Sequence, residues 1–371
     1  MGIRLPNWGE LSKDEQIPIL NLPTDKNYVV VGPPGSGKTV LALHRAARLK
    51  KEGRGVLILT YNRLLSIYLQ EALEKIGLAD YAAQTYHTWL SCLFSEKLRC
   101  TLPTGKNNFD YKWEAIHSRT KDLQPVIDHL IIDETQDFPV ELLKLLARLS
   151  KNATIFADPQ QAIFENTQTN DLTAIFKTPN PYMLTRNYRN TVEIANASRL
   201  FASGDAVSIP SGAFRPGKKP RVIQCTGFPH INKVILNYAR DNRSETIGVI
   251  VDYNAVNATV KGLENDEEIP VDYYKSKSKM DTDITSPGIK VMSFGVMKGL
   301  EFDTVFISST DRVFKKSEDE QKDMRRMYVA LSRASDSLLF THQGHKPSQF
   351  YPDVLGVLRG NKEMFDWGLA K

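Results

Sequence analysis

The stretch Gly32–Thr39, GPPGSGKT, constrains this chain more than any other. It lies directly after the apolar run YVVV (28–31) and before a segment with helical spacing. G-x-x-x-x-G-K-[ST] between a strand and a helix is the pattern of a phosphate-binding loop. Gly32, Gly35, Ser36 and Gly37 form the loop. At Gly35 and Gly37 no Cβ blocks the backbone N–H groups from curving around phosphate oxygens, and the following helix aims its positive end at them. Lys38 is a mobile point charge for the β- and γ-phosphates, and the Thr39 hydroxyl is a ligand for Mg²⁺. The expected cofactors are ATP and Mg²⁺.

The rest of the chain repeats the same grammar. VLIL (56–59), HLII (129–132) and ATIFA (153–157) are short apolar runs separated by amphipathic segments at 64–76 and 141–149. Further on, RVIQC (221–225), IGVIV (247–251), IKVMSF (289–294), DTVFI (303–307) and SLLFT (337–341) do likewise. Buried strands alternating with amphipathic helices predict an α/β fold with parallel sheets. Two prolines in KTPNPYMLTR (177–186) mark a seam, so two lobes of similar size are expected, residues 1–180 and 181–371. The polar stretch 275–288 reads as a solvated loop.

HLIIDETQDF (129–138) puts Asp133 and Glu134 at the end of an apolar strand, where open α/β sheets place their ligand chemistry. Beside a phosphate loop, the first carboxylate suits the metal and the second suits the attacking water. Composition closes other routes. Three cysteines without C-x-x-C spacing form neither a disulfide framework nor a zinc site. No apolar run reaches the length of about 18 residues that spans a bilayer, and the first ten residues lack the apolar core of a signal peptide. A cytoplasmic protein with no membrane partner is expected. The net charge of +5 permits a nucleic-acid partner without demanding one.

The order of motifs resembles the UvrD/Rep-type helicases of superfamily 1 over nearly the whole chain. LSKDEQIPIL (11–20) resembles their Q motif, LTYNR (59–63) and QTYHTW (84–89) their single-strand contacts, and DETQD their acidic motif. FADPQQAIF (156–164), LTRNYRN (184–190), FGVMKGLEFDTV (294–305) and RRMYVALSRA (325–334) resemble the third to sixth motifs. The resemblance implies two RecA-like lobes in tandem with the ATP site in the cleft between them. It implies that Gln16 reads the adenine edge, Gln161 senses the γ-phosphate and Tyr188 stacks on the base. Gly299 and Glu301 would contact the nucleotide, with Glu301 at its sugar. Arg189 and Arg333 would be arginine fingers. Tyr61, Asn62, Tyr86, His87, Phe164 and Ser293 would form the nucleic-acid track, with Trp89 a further aromatic candidate.

The chain also departs from the family. The intervals that hold large insertions in long members span only about 40 and 100 residues here. Asn166 stands where many relatives place a Trp, and Gly295 where a strand-contacting His is usual. Two functions fit. One is an ATP-driven translocase or helicase on single-stranded nucleic acid, DNA favoured over RNA, moving 3′ to 5′ by family analogy. The other is an ATPase switch controlling a partner such as a nuclease subunit.

Overall fold

The structure, a computed structural model, describes residues 8–107, 109–158, 169–202, 213–264, 266–274, 284, 286–297, 299–312, 320–344 and 353–369. The chain divides in sequence between Thr185 and Arg186 into two compact units. Residue 180 lies before this division, because Tyr182–Met183 still pairs with the first sheet.

In the first unit the strands are β1 (Tyr28–Val31), β2 (Val56–Thr60), β3 (Ala82–Thr85), β4 (Ile127–Ile132), β5 (Ser150–Ala157) and β6 (Tyr182–Met183). The helices are α1 (Gln16–Leu20), α2 (Lys38–Lys51), α3 (Arg63–Lys75), α4 (Tyr86–Cys92), α5 (Trp113–Thr120), α6 (Val140–Leu149) and α7 (Thr169–Ile175). Among the described residues the strands pair in the order β3-β2-β4-β5-β1-β6, every pairing parallel. Helices on the crossovers bury the sheet, so β1 and most of β4 are continuous apolar runs rather than alternating ones. On α6, Leu142, Leu143, Leu145, Leu146 and Leu149 recur at helical spacing and are all buried. They share a core with Val29, Leu130 and Ile155 of the sheet.

This order has a consequence for chemistry. The neighbours β4, β5 and β1 all point their carboxyl ends to one edge, and β2 and β3 end beside them on the same edge. Loops leaving these strands therefore meet, although Gly32 and Asp158 lie far apart in the chain.

His129 sits fully buried in β4, with one ring nitrogen 3.0 Å from Thr154 Oγ1 of β5. Burial, with Arg45 and Arg54 nearby, pushes its pKa down to about 4. The unfolded chain binds this proton below about 6.5 and the folded chain does not. The contribution to stability is thus intact above pH 6.5 and falls as the pH drops toward 4, by about 2 kcal/mol between pH 7 and 5. Urea midpoints at the two pH values check this. His129→Gln is expected to flatten the dependence, and an equally steep fall in that variant would assign it to other groups.

The second unit carries β7 (Asn187–Thr191), β8 (Ala213–Arg215), β9 (Arg221–Gln224), β10 (Thr246–Val251), β11 (Val271–Tyr274), β12 (Gly288–Ser293), β13 (Phe302–Ile307), β14 (Ala334–His342) and β15 (Asp366–Leu369). Its helices are α8 (Val192–Arg199), α9 (Phe228–Asp241), α10 (Val256–Leu263), α11 (Glu320–Leu331) and α12 (Val354–Gly360). Among the described residues a parallel sheet runs β11-β12-β10-β13-β14-β9-β15, and β7 pairs with β8 separately. The apolar runs expected as strands lie in β9, β10, β12, β13 and β14. Short or polar strands such as β3, β11 and β15 carry no such run. No described helix is long and apolar enough to cross a membrane.

Candidate active site

The loop between β1 and α2 turns through left-handed backbone at Gly35 (φ 75°) and Gly37 (φ 84°). The left-handed backbone at Gly37 is what requires glycine, and a Cβ there would also stand 2.4 Å from the Gln16 amide and displace it. Gln16 is buried, takes the Ser12 N–H on its oxygen (3.0 Å) and donates to the Ser36 carbonyl (3.2 Å). Arg45 and Arg48 of α2 donate to the Leu20 and Leu22 carbonyls, which ties α1 to the helix that the loop starts. Gln16 is thereby braced against the phosphate loop.

Lys38 is 7 % exposed. Its ammonium donates to the Gly32 and Pro33 carbonyls at 2.7 and 2.8 Å and faces Asp158 at 3.5 Å. Thr39 donates to Asp133 Oδ2 at 2.7 Å. Asp133 is fully buried, and burial together with Glu134 pushes its pKa up, against the Thr39 hydrogen bond and Lys38. A buried carboxyl beside a second one, next to a hydroxyl, is a hard-oxygen donor set suited to a divalent cation shared with phosphate oxygens. The residues present fit Mg²⁺ at Thr39 and Asp133.

Glu134 has left-handed backbone (φ 57°), unusual for a side-chain-bearing residue and costing about 1–3 kcal/mol. The conformation is held from several sides. Its N–H donates to Asp133 Oδ1 at 3.0 Å, and Gln136 donates to its carboxylate. Gln136 in turn accepts the Asp158 N–H at 2.9 Å, and Thr135 donates to the Phe156 carbonyl at 2.8 Å. A strained residue clamped by two strand ends is how a fold aims one carboxylate. Asp158 and Gln136 were not among the residues singled out from sequence. The available signal was that Asp158 follows the run ATIFA just as Asp133 follows HLII.

The expected nucleic-acid residues have varied settings. Tyr61 and His87 are half-buried. Tyr86 and Trp89, at 4 % and 8 % exposed, are core residues. The Tyr86 ring lies 3.9 Å from His87 and 5.2 Å from Phe138, so it is packed within protein rather than presented to a base. Tyr86 opens α4 and packs inward against Phe138 and the core of the first sheet, which withdraws it from solvent. Asn62 caps α3, accepting the Leu64 N–H at 2.9 Å. Gln161 and Phe164 lie outside the described residues.

In the second unit three distant segments converge. Arg189, at the middle of β7, is ion-paired with Glu301 and donates to the Ser332 carbonyl at 3.2 Å. Its Nε–H is buried with no acceptor among the described residues. Asn190 also donates to the Ser332 carbonyl, at 3.2 Å. Arg333 is only 2 % exposed and donates to the carbonyls of Val329 (3.1 Å) and Leu300 (3.4 Å). Gly299 beside it has φ 82°. Tyr188 is half-buried next to Arg189, whereas Ser293 is buried at the end of β12.

Comparison with known proteins agrees with these two units. Residues 16–166 match the model of an AAA domain, and residues 273–344 that of a UvrD-like helicase C-terminal domain. No curated protein matches. Among solved structures, Saccharomyces cerevisiae Dbp5 bound to RNA and ADP–BeF3 is similar at TM-score 0.55 and 12 % identity, covering 98 % of this chain and 91 % of that one. A single-site variant of Dbp5 with the same ligands gives 0.54, at the same identity and coverage. The C-terminal domain of a possible DNA helicase from Lactobacillus plantarum is 21 % identical over 48 % of this chain and 98 % of its own, at TM-score 0.34. The Dbp5 likeness bears on the fold alone: both units have the RecA-like parallel-sheet architecture of helicase lobes.

Proposed function

We propose, for a chain that belongs to the UvrD-like superfamily 1 helicases and is an ATP-hydrolysing enzyme, that it is a cytoplasmic translocase powered by ATP and stimulated by single-stranded DNA, moving 3′ to 5′. The observation that carries the ATP-hydrolysing part of this reading is the joined set Lys38, Thr39, Asp133 and Glu134 at one edge of the first sheet, and the direction and strand preference follow the family resemblance. Lys38 binds the β- and γ-phosphates, exchanging the Gly32 and Pro33 carbonyls for phosphate oxygens of greater charge. Thr39 and Asp133 hold Mg²⁺, which supplies charge neutralisation at the phosphate oxygens. Glu134, aimed by Gln136, takes the proton of the attacking water. Gln16 reads the adenine edge, and Tyr188, Gly299 and Glu301 complete the nucleotide contacts. Arg189 and Arg333 supply positive charge to the transferred phosphoryl group, the step at which an arginine finger is worth about 10³–10⁵ in rate. Gln161 senses the γ-phosphate.

ATPase assays across single-stranded, duplex and forked DNA and RNA test the reading. Single strands are expected to raise the wild-type rate, and Lys38→Ala to abolish turnover with and without them. An ATPase rate indifferent to every polynucleotide would sink the translocase. It would favour a second reading, an ATPase switch for a partner such as a nuclease subunit. A specific observation speaks for that switch. Between α4 and β4 the described residues build only a helical turn (Leu93–Lys97), a short hairpin and α5, with no duplex-gripping subdomain among them.

A further inference from the structure

The short interval between α4 and β4 is not featureless. Thr104 and Tyr111 form an antiparallel bridge, closed by the Gly105 N–H on the Asp110 carbonyl (2.6 Å) and the Lys112 N–H on the Pro103 carbonyl (3.1 Å). The Asp110 N–H on the Asn107 carbonyl (2.9 Å) tightens the tip. This hairpin holds out Phe109, 71 % exposed, the most exposed large apolar side chain among the described residues of the first unit.

Phe109 does not dangle. Its ring meets His87 edge-on at 4.7 Å, and His87 stacks on Tyr111 at 5.7 Å and 26° while sharing a 2.6 Å hydrogen bond with the Tyr111 hydroxyl. Tyr86 lies 3.9 Å behind His87, and Tyr61 6.1 Å to its side. The outermost ring of an aromatic stack thus faces water while the inner rings belong to the core. Burial pushes the His87 pKa down to about 4, so the stack stays neutral near pH 7.

One exposed Phe is ordinary on a protein surface. The surroundings of this one are not. On the hairpin itself Phe109 lies between Lys106 and Lys112, with Asp110 as the acidic residue of that span. Both lysines are exposed. An anchored aromatic face among cations is the combination that holds unpaired bases, the ring stacking while the cations meet phosphates. Its ring partner His87 follows β3, and Tyr61 beside His87 follows β2, at the carboxyl edge of the sheet where β1 leads into the phosphate loop.

We propose that Phe109 is a stacking platform for an unpaired base of a single-stranded nucleic acid, with Lys106 and Lys112 on the adjoining phosphates. Phe109 lies outside every helicase motif in the chain. The inference rests on the translocase reading and names a residue that performs it. The flanks of the hairpin are closed by main-chain hydrogen bonds and the ring rests on His87, which lowers the ordering cost when a base settles on it.

The test uses a fluorescently labelled oligothymidylate and the full chain. Phe109→Ala is expected to weaken binding about 5- to 100-fold, the effect of losing one stacked base. Its thermal midpoint should hold, since the side chain is largely in water. Phe109→Trp should restore affinity, and its added fluorescence should be quenched by unlabelled oligothymidylate, which a merely structural role would not produce. Lys106→Ala and Lys112→Ala should each lower the slope of log affinity against log salt by about 0.7. A wild type that binds no oligothymidylate or oligouridylate overturns the translocase reading and this platform together. Two results overturn the platform alone and turn Phe109 into a candidate protein contact: wild-type binding that Phe109→Ala leaves within twofold, or fluorescence of the Phe109→Trp variant that oligothymidylate leaves unchanged.

Discussion

Glu134→Gln is expected to bind ATP like the wild type and to hydrolyse it about 10³-fold more slowly. The amide is isosteric and keeps the packing, but it accepts no proton from water. Because Gln136 donates to the Glu134 carboxylate, Gln136→Ala should give a smaller loss, of about tenfold, through misaimed geometry rather than lost basicity. Single-turnover kinetics with saturating ATP separate the two steps. If Glu134→Gln retains more than a tenth of the wild-type rate, the base is another group, and the left-handed backbone at 134 needs a different explanation.

The second large effect is Arg189→Ala, expected to lower kcat by about 10³-fold with little change in ATP affinity. The second unit surrounds this guanidinium with one carboxylate, Glu301, and one carbonyl, Ser332, and leaves its Nε–H without an acceptor among the described residues. A buried unsatisfied donor costs about 1–3 kcal/mol, a cost that is relieved if the guanidinium turns to an oxyanion. Glu301→Gln weakens the competing ion pair and is therefore expected to leave kcat far closer to wild type. Arg189→Lys should fail to rescue, since one ammonium cannot reproduce the forked donor set. An Arg189→Ala enzyme within threefold of wild-type kcat would show that the arginine serves only to join β7 to the segment around Ser332.

Arg333 calls for a different expectation. At 2 % exposure it holds the Val329 and Leu300 carbonyls, so Arg333→Ala is a structural lesion as well as a loss of charge. Its effect on rate must be read beside a melting curve.

Local chemistry was written in the residues themselves. The turn through Gly35 and Gly37, the start of α2 at Lys38 and the carboxylates after β4 follow from backbone freedom and apolar runs, which need no distant partner. So does the alternation of buried strands and amphipathic helices that makes each unit a parallel sheet. What the tertiary structure decided is which side chains meet and which are hidden. Asp158 reaches Lys38, Gln136 bridges Glu134 to Asp158, and Arg189 finds Glu301, because β5 inserts between β4 and β1 and because β7 packs on β14 and hydrogen-bonds the Ser332 carbonyl just after α11. Those contacts depend on strand order, and no local pattern encodes it. The same holds for the aromatics. Tyr86 and Phe109 are alike in chemistry, but packing against Phe138 buries one, while a hairpin closed by main-chain hydrogen bonds exposes the other.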